Sequence, residues 1–586
     1  MAKEVLRIAN CSGFYGDRLS AAREMVEGGP VDVLTGDYLA ELTMMILFKD
    51  RQKDPEAGYA RTFLRQMEEV LATCVERGIK VVSNAGGLNA RGLANAMQAL
   101  ADRLGIRARI AWIEGDDLLP RLAELQAQGH EFRHLDKGIP LRELKAQIVT
   151  ANAYLGGWGI VEALRRGADV VICPRVTDAA LVVGPAAWYF EWARDDWDRL
   201  AAAVVAGHIL ECGAQCTGGN YSFFREVPNI ERIGFPLAEI YEDGTFVVTK
   251  HPGTGGLVSV GTVTAQLLYE IQGPQYFNPD VTARFDTIQL QQEGPDRVRV
   301  SGVRGEPPPP TTKVCINYLG GFRNSVTFVL TGLDIEEKAD TALRTLWYLV
   351  GGKERFAEVH VDLVRWDRPN PHRNEEGFAY LTVVVKDPDP KKVGRAFTNK
   401  AIEMALANYP GFFVTNPPTD ASPYGVYWPA LIPSEVVTQR VVVDDTVIDV
   451  APVAYDRSLS LEIPPPPLPP PPKGEVVRAP LGLIVGARSG DKGGNANVGL
   501  WTRQAQAYAW LREYMTTERF RELIPEARQL EIERYELPNL LALNFIVRGL
   551  LGEGVASSTR MDPQAKSFGE YVRAKLADIP KALLAE

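Results

Sequence analysis

An α/β fold with a parallel sheet and crossover helices is predicted for the first part of this chain, followed by a ferredoxin-like βαββαβ segment and a smaller C-terminal α+β domain. Three observations predict it. Short apolar runs alternate with amphipathic stretches from Val5 to about Val183. Beyond Pro307–Pro310 the order changes to strand, helix, strand, strand, helix, strand. The run P-P-P-P-L-P-P-P-P at 464–472 then interrupts the chain with a semi-rigid spacer that has no core of its own. The divisions are 1–325, 326–463, the linker 464–473, and 474–586.

In the first division the expected strands are Leu6–Asn10, Val31–Thr35, Lys80–Ser83, Ala108–Ile113, Ile148–Ala151 and Val170–Cys173. Between the second and third, Phe63, Met67, Val70, Leu71 and Cys74 recur at helical spacing, which predicts a helix over 61–77. Each strand ends in polar or glycine residues: Ser12; Asp37; Asn84, Gly86 and Gly87; Asp116; Asn152; Arg175 and Asp178. Ligands of parallel α/β folds bind at the carboxyl ends of strands, so these residues are expected to converge on a substrate pocket. Taken singly, each aspartate is equally well explained as a helix N-cap.

After a helix-like segment from Trp188 to Leu210 comes H-P-G-T-G-G-L-V-S-V-G-T-V at 251–263. Gly253, Thr254, Gly255 and Gly256 precede a helical pattern, and free N–H groups at a helix N-terminus suit phosphate or carboxylate. The competing reading is a tight turn against the sheet. The middle segment is read as strand Val326–Leu330, helix Lys338–Val350, strands Glu358–Trp366 and Phe378–Val385, helix Val393–Asn408 and strand Gly411–Val414.

The last division opens with A-R-S-G-D-K-G-G-N-A-N-V-G at 487–499, read as a loop between ordered elements. Its glycines permit positive φ and close backbone approach, so that N–H groups could converge on an anion. Arg488, Ser489, Asp491, Lys492 and Asn495 are the candidate catalytic set and Asn497 a substrate contact: a carboxylate can move a proton and an adjacent cation can steady an oxyanion. The spacing is neither a P-loop nor a dinucleotide turn. The plain alternative is a hairpin with hydrated polar tips. Helix over 505–523 and strands over 529–535 and 541–547 complete an α+β layer.

Composition narrows the function classes. The 586 residues are 46% hydrophobic, and 64 basic against 74 acidic side chains give a net charge of −10, which opposes nonspecific binding to nucleic acid or anionic membrane. No apolar run is long enough for a signal peptide core or a membrane span, so a cytoplasmic protein is expected. The 6 cysteines do not form a disulfide framework. Cys212 and Cys216 with His208 lack the second ligand pair of a zinc site, and the carboxylate spacing matches no Mg²⁺ or Ca²⁺ loop. No metal is assigned.

The segments R-S-G-D-K-G-G-N-A-N, N-A-G-G-L-N at 84–89 and R-V-T-D-A-A-L at 175–181 resemble the acyclic terpene utilisation (AtuA) family over nearly the whole chain. The resemblance implies an AtuA-type N-terminal region followed by a C-terminal domain of ferredoxin-like fold, and catabolism of branched or terpenoid acids as acyl-CoA thioesters. The expected function is a non-redox lyase, hydratase or hydrolase with no cofactor, coenzyme A being part of the substrate. The rival is a non-catalytic acyl-CoA-binding or scaffold protein. A small-molecule partner is expected, and a homo-oligomer is left open.

Overall fold

The computed structural model describes residues 4–452 and 459–584. Its centre is an 11-stranded mixed sheet. Leu6–Asn10, Val33–Gly36, Lys80–Ser83, Val170–Ile172 and Ile110–Glu114 lie side by side and parallel. These strands are mostly apolar because helices cover both faces. The helix Arg61–Arg77 buries Phe63, Met67, Val70, Leu71 and Cys74, the face read from the sequence, and ends at Gly78, whose φ of 69° lets the chain turn back. The helix-like segment divides into Ala180–Phe190 and Trp197–Leu210.

One expected strand goes elsewhere. Ile148–Ala153 leaves the parallel sheet and pairs antiparallel with the 21-residue strand Thr311–Thr331. A short apolar strand carries no information about which sheet will receive it, and here the long strand offers an apolar stripe (Val314, Ile316) for it to cover.

The middle segment has the order Glu358–Arg365, Phe378–Asp387, Thr311–Thr331, Phe413–Val414, the ferredoxin-like arrangement, with the helices Ile335–Val350 and Arg395–Glu403 on one face. The expected boundary at 325/326 falls inside the continuous strand Thr311–Thr331. Its first half pairs with Ser422–Pro433 and Ile148–Ala153, its second with Phe378–Asp387 and Phe413–Val414. After that excursion Gln439–Val443 and Thr446–Val450 return to the edge of the central sheet, so residues 415–450 belong with the first division.

The proline stretch has no regular structure, and its Leu468 packs on the C-terminal core. Beyond it lies a four-stranded antiparallel sheet, Val485–Lys492, Asn495–Thr502, Ala542–Val547 and Ile532–Leu537 in spatial order, packed with Ala505–Tyr514, Thr517–Leu523 and Phe568–Arg573. The C-terminal domain docks through buried aromatic and amide contacts. Trp501 stacks on Tyr221 with ring centroids 5.8 Å apart. The Asn544 amide donates to the carbonyls of Ile271 and Gln272, and Asn539 to those of Phe285 and Ile288.

Candidate functional site

The glycine-rich segment at 487–499 is not a loop. Its residues form the antiparallel pair Val485–Lys492 and Asn495–Thr502, closed by Gly493 and Gly494 with φ 61° at Gly493. Alternation was masked because glycine and polar residues stand where a strand normally carries apolar ones. The reason is the neighbour: a Cβ on Gly490 would sit 2.5 Å from the Tyr269 ring, and one on Gly499 2.5 Å from Leu268. The glycines let this hairpin lie flat on residues 268–270 of the first division, and the backbone is occupied by the ladder instead of cradling an anion.

Lying flat there, the hairpin delivers its tip to the carboxyl ends of the parallel strands. Lys492 donates from Nζ to the Glu270 carbonyl at 3.2 Å. Asp491 lies 3.8 Å from Lys566 Nζ, which is 3.5 Å from the Glu270 carboxylate. Across a narrow recess lined by Glu41, Asn317, Tyr427 and Asp491 stands Lys313, 3.5 Å from Glu41 and over the rings of Tyr154 and Tyr427. Arg175 is 3% exposed; it bonds Asp178 at 3.2 Å and the Leu39 carbonyl, and stacks on Tyr154 at 4.3 Å. Asp178 keeps 29% of its side-chain surface, Glu41 28% and Lys313 32%, although protein surrounds them. Polar groups that are exposed yet enclosed line a recess, not a sealed core.

Enclosure separates the carboxyl groups electrically. Burial, then Glu270 and Glu41, pushes Asp491 up to about 8 against the pull of Lys566. Burial, helped by Asp178, raises Asp37 and Glu211 well above the carboxylate range, and burial raises Asp178 against Arg175. Glu41 goes the other way: burial works to raise it, but Lys313 and Arg175 outweigh burial and hold it below its ordinary value. Burial, with Lys313 beside it, lowers the Lys492 ammonium. A carboxyl pushed up to about 8, Asp491, thus faces one held below its ordinary value, Glu41, the division of labour acid–base chemistry needs. His208 is fully buried 3.2 Å from Glu211, and burial brings it to about 4.

The strand-end residues divide into those beside this recess and those that support it. Arg175 and Asp178 lie at its side, Arg175 near enough to help hold Glu41 down, and Asp37 is close to both. Asn84 donates to Asp37 and accepts from Tyr38 N at 2.8 Å. Asp116, raised to about 7 by burial against its Asn152 bond, accepts from Asn152 at 2.8 Å and from Arg175 N at 3.2 Å. Asn84, Asp116 and Asn152 therefore hold the recess in shape. Ser12 donates to the Phe14 carbonyl. Gly86 and Gly87 allow close packing, since a Cβ on Gly86 would meet the Cys173 carbonyl at 2.6 Å and one on Gly87 the Leu47 side chain.

Other expectations are overturned. Ser489 is 1% exposed, donates to the Ala565 carbonyl and accepts from Gly569 N, so it is bound within its own domain. Asn495 turns away to Asp136 and Gly549 N. Asn497 accepts from Glu270 N and donates to the Leu268 carbonyl, pinning one domain to the other. Arg488 is buried and lies over the Tyr269 ring at 4.5 Å. The turn with Gly253, Thr254, Gly255 and Gly256 is not an anion site: Gly255 N and Gly256 N already donate to the Arg232 and Pro228 carbonyls, and Thr254 Oγ1 to that of His251. The helix begins only at Val260 and is capped by its own Ser259 and Thr262.

Glu41 and Tyr427 line the recess, and Lys313, Glu270 and Lys566 act on its charged groups from beside it; sequence reasoning missed all five. Glu41 follows Asp37 by four residues, as the first residue of the helix Glu41–Lys53, and was within reach of that reasoning. Lys313 and Lys566 lie on a long strand and in a turn, and nothing local marks them.

Residues 6–443 match the family model of the acyclic terpene utilisation family protein AtuA. The chain belongs to that family. Residues 479–576 match the AtuA ferredoxin-like domain, so the two matches flank the proline stretch, and the recess of this AtuA protein is built from both. Membership ties the AtuA chain to acyclic terpene utilisation. No curated protein matches it. Among the described residues no helix is long and apolar enough to cross a membrane, and no cluster of His, Cys, Asp and Glu is arranged to hold a metal ion.

Proposed function

We propose that this AtuA-family protein is an enzyme that transforms a branched or terpenoid carboxylic substrate, carried as its acyl-CoA thioester, by non-redox acid–base chemistry in the recess between the two matched regions. The observation that carries this reading is the meeting of Asp491 and Lys492, at the tip of one domain, with Glu41 and Lys313 of the other. In this scheme Lys492 and Lys313 take the carbonyl oxygen and stabilise the negative charge that develops on it. Glu41, held ionised, removes a proton, and Asp491 or Glu211, held protonated, returns one to the leaving oxygen or to carbon. Coenzyme A belongs to the substrate, and no other cofactor enters the scheme.

The test is incubation of the purified protein with saturated, unsaturated and 3-hydroxy branched acyl-CoAs, followed by mass spectrometry. Gain or loss of water, or release of free coenzyme A, supports the reading. Tight binding without conversion across the whole panel replaces it with the acyl-CoA-binding protein, and absence of both removes the substrate class.

A further inference from the structure

The ferredoxin-like middle sheet ends at the strand Glu358–Arg365, which pairs with Phe378–Asp387 on one side; among the described residues no strand pairs with the other. Every residue of it is exposed or half-buried. Open edges are normally blunted by charged side chains, lysine above all, by proline or by a bulge. This one, E-V-H-V-D-L-V-R, has neither lysine nor proline, and its register is unbroken. Val359, Val361 and Leu363 lie opposite the core residues Val385, Val383 and Leu381, on the helix-covered face, while His360 and Asp362 lie on the open face.

We propose that this edge pairs antiparallel with the same strand of a second copy of the chain, about a two-fold axis at Val361. A two-fold between antiparallel strands stands perpendicular to the sheet and keeps both sets of helices on one side. Centred on Val361, it sets Val359 against Leu363 of the second copy and Val361 against itself, extending the apolar stripe. On the other face it sets His360 against Asp362, twice. Both are exposed, and among the described residues neither side chain has a hydrogen-bond or ion-pair partner in its own chain. Moving the axis to Asp362 would oppose like charges, which is unfavourable. The helix Ile335–Val350 runs beside this edge, since Glu336 reaches Arg365 at 3.1 Å. Leu343 and Trp347 follow Glu336 on the same helical face and are half-buried, an apolar rim that the twin helix would cover.

Sedimentation of the full-length protein should give twice the 64.5 kDa mass of one chain. Val361→Lys puts two ammonium groups face to face on the axis and should yield the single chain with an unchanged circular dichroism spectrum. Val361→Cys should cross-link to itself under mild oxidation, because directly opposed Cα atoms lie roughly 4.5–5.5 Å apart. Val359→Cys should not, its own copy being ~13 Å away along the strands. The native cysteines are buried apart from half-buried Cys212, so the new thiol is the accessible one. A wild type that sediments as one chain at every concentration overturns the proposal. So does a Val361→Lys protein that stays dimeric, or equal cross-linking of the two cysteine variants.

Discussion

Replacing Asp491 by asparagine should make the protein more stable and less active at once. The folded carboxyl titrates at about 8 because it is enclosed beside Glu270 and Glu41, against an ordinary value of 3.8. Between those values the folded chain holds a proton that the unfolded chain releases. Stability contributed by the group is therefore complete below 3.8 and lost as pH rises towards 8. At 1.36 kcal/mol for each pH unit above 3.8, the loss is about 2 kcal/mol at pH 5 and about 4 kcal/mol at pH 7. Asparagine has a similar shape and no proton to hold, so it escapes the loss. Thermal melting of wild type and Asp491→Asn should nearly coincide at pH 4 and diverge in favour of the variant as pH rises to 7. If Asp491 delivers a proton, turnover of whichever acyl-CoA is the substrate should fall ~10²-fold or more. A variant that melts below wild type at pH 7, or tracks it at all pH values, would refute the electrostatic reasoning; full turnover would refute the role.

Lys492→Met removes an ammonium that burial disfavours together with its single bond to the Glu270 carbonyl. Melting should hold or rise while turnover drops ~10²- to 10³-fold, and full activity would remove Lys492 from the reaction. Gly255→Val would place a Cβ 2.0 Å from the Asn229 carbonyl. It should cost about 2–3 kcal/mol of stability or prevent folding, and a stable variant that merely binds ligand less well would restore the anion-site reading. Trp501→Ala deletes the ring stacked on Tyr221 and should weaken domain docking by about 3–5 kcal/mol. After tryptic cleavage at exposed Lys473, the wild-type fragments should elute together on gel filtration and those of the variant apart. Co-elution of both would show that Trp501 does not hold the domains.

How the site could be read from the sequence differs from residue to residue. Arg175 and Asp178 were accessible because a parallel strand must end in polar residues at its ligand-facing edge. Asp491 and Lys492 stood out through the density of chemistry around them. The hairpin's own geometry was hidden, since glycines chosen for contact with Tyr269 and Leu268 look locally like a loop. The turn at 253–256 misled for the opposite reason: its glycines are required by close approach to the Asn229 and Thr217 carbonyls, and a lone sequence does not distinguish a backbone that approaches protein from one that approaches a ligand.

By itself the sequence determined what depends on short-range periodicity: the parallel strands, the apolar face of Arg61–Arg77, the order of the middle segment and the proline break. Tertiary structure alone decided which sheet received Ile148–Ala153, where the strand Thr311–Thr331 carried the chain across an expected boundary, and which charges met. Glu41, Glu270, Lys313 and Asp491 come from four separate segments of the chain, and each alone would be an ordinary hydrated side chain. Only when docking removes their water do their charges act strongly on one another, raising one carboxyl and holding another down. That interaction belongs to the space between the domains, which no local pattern encodes.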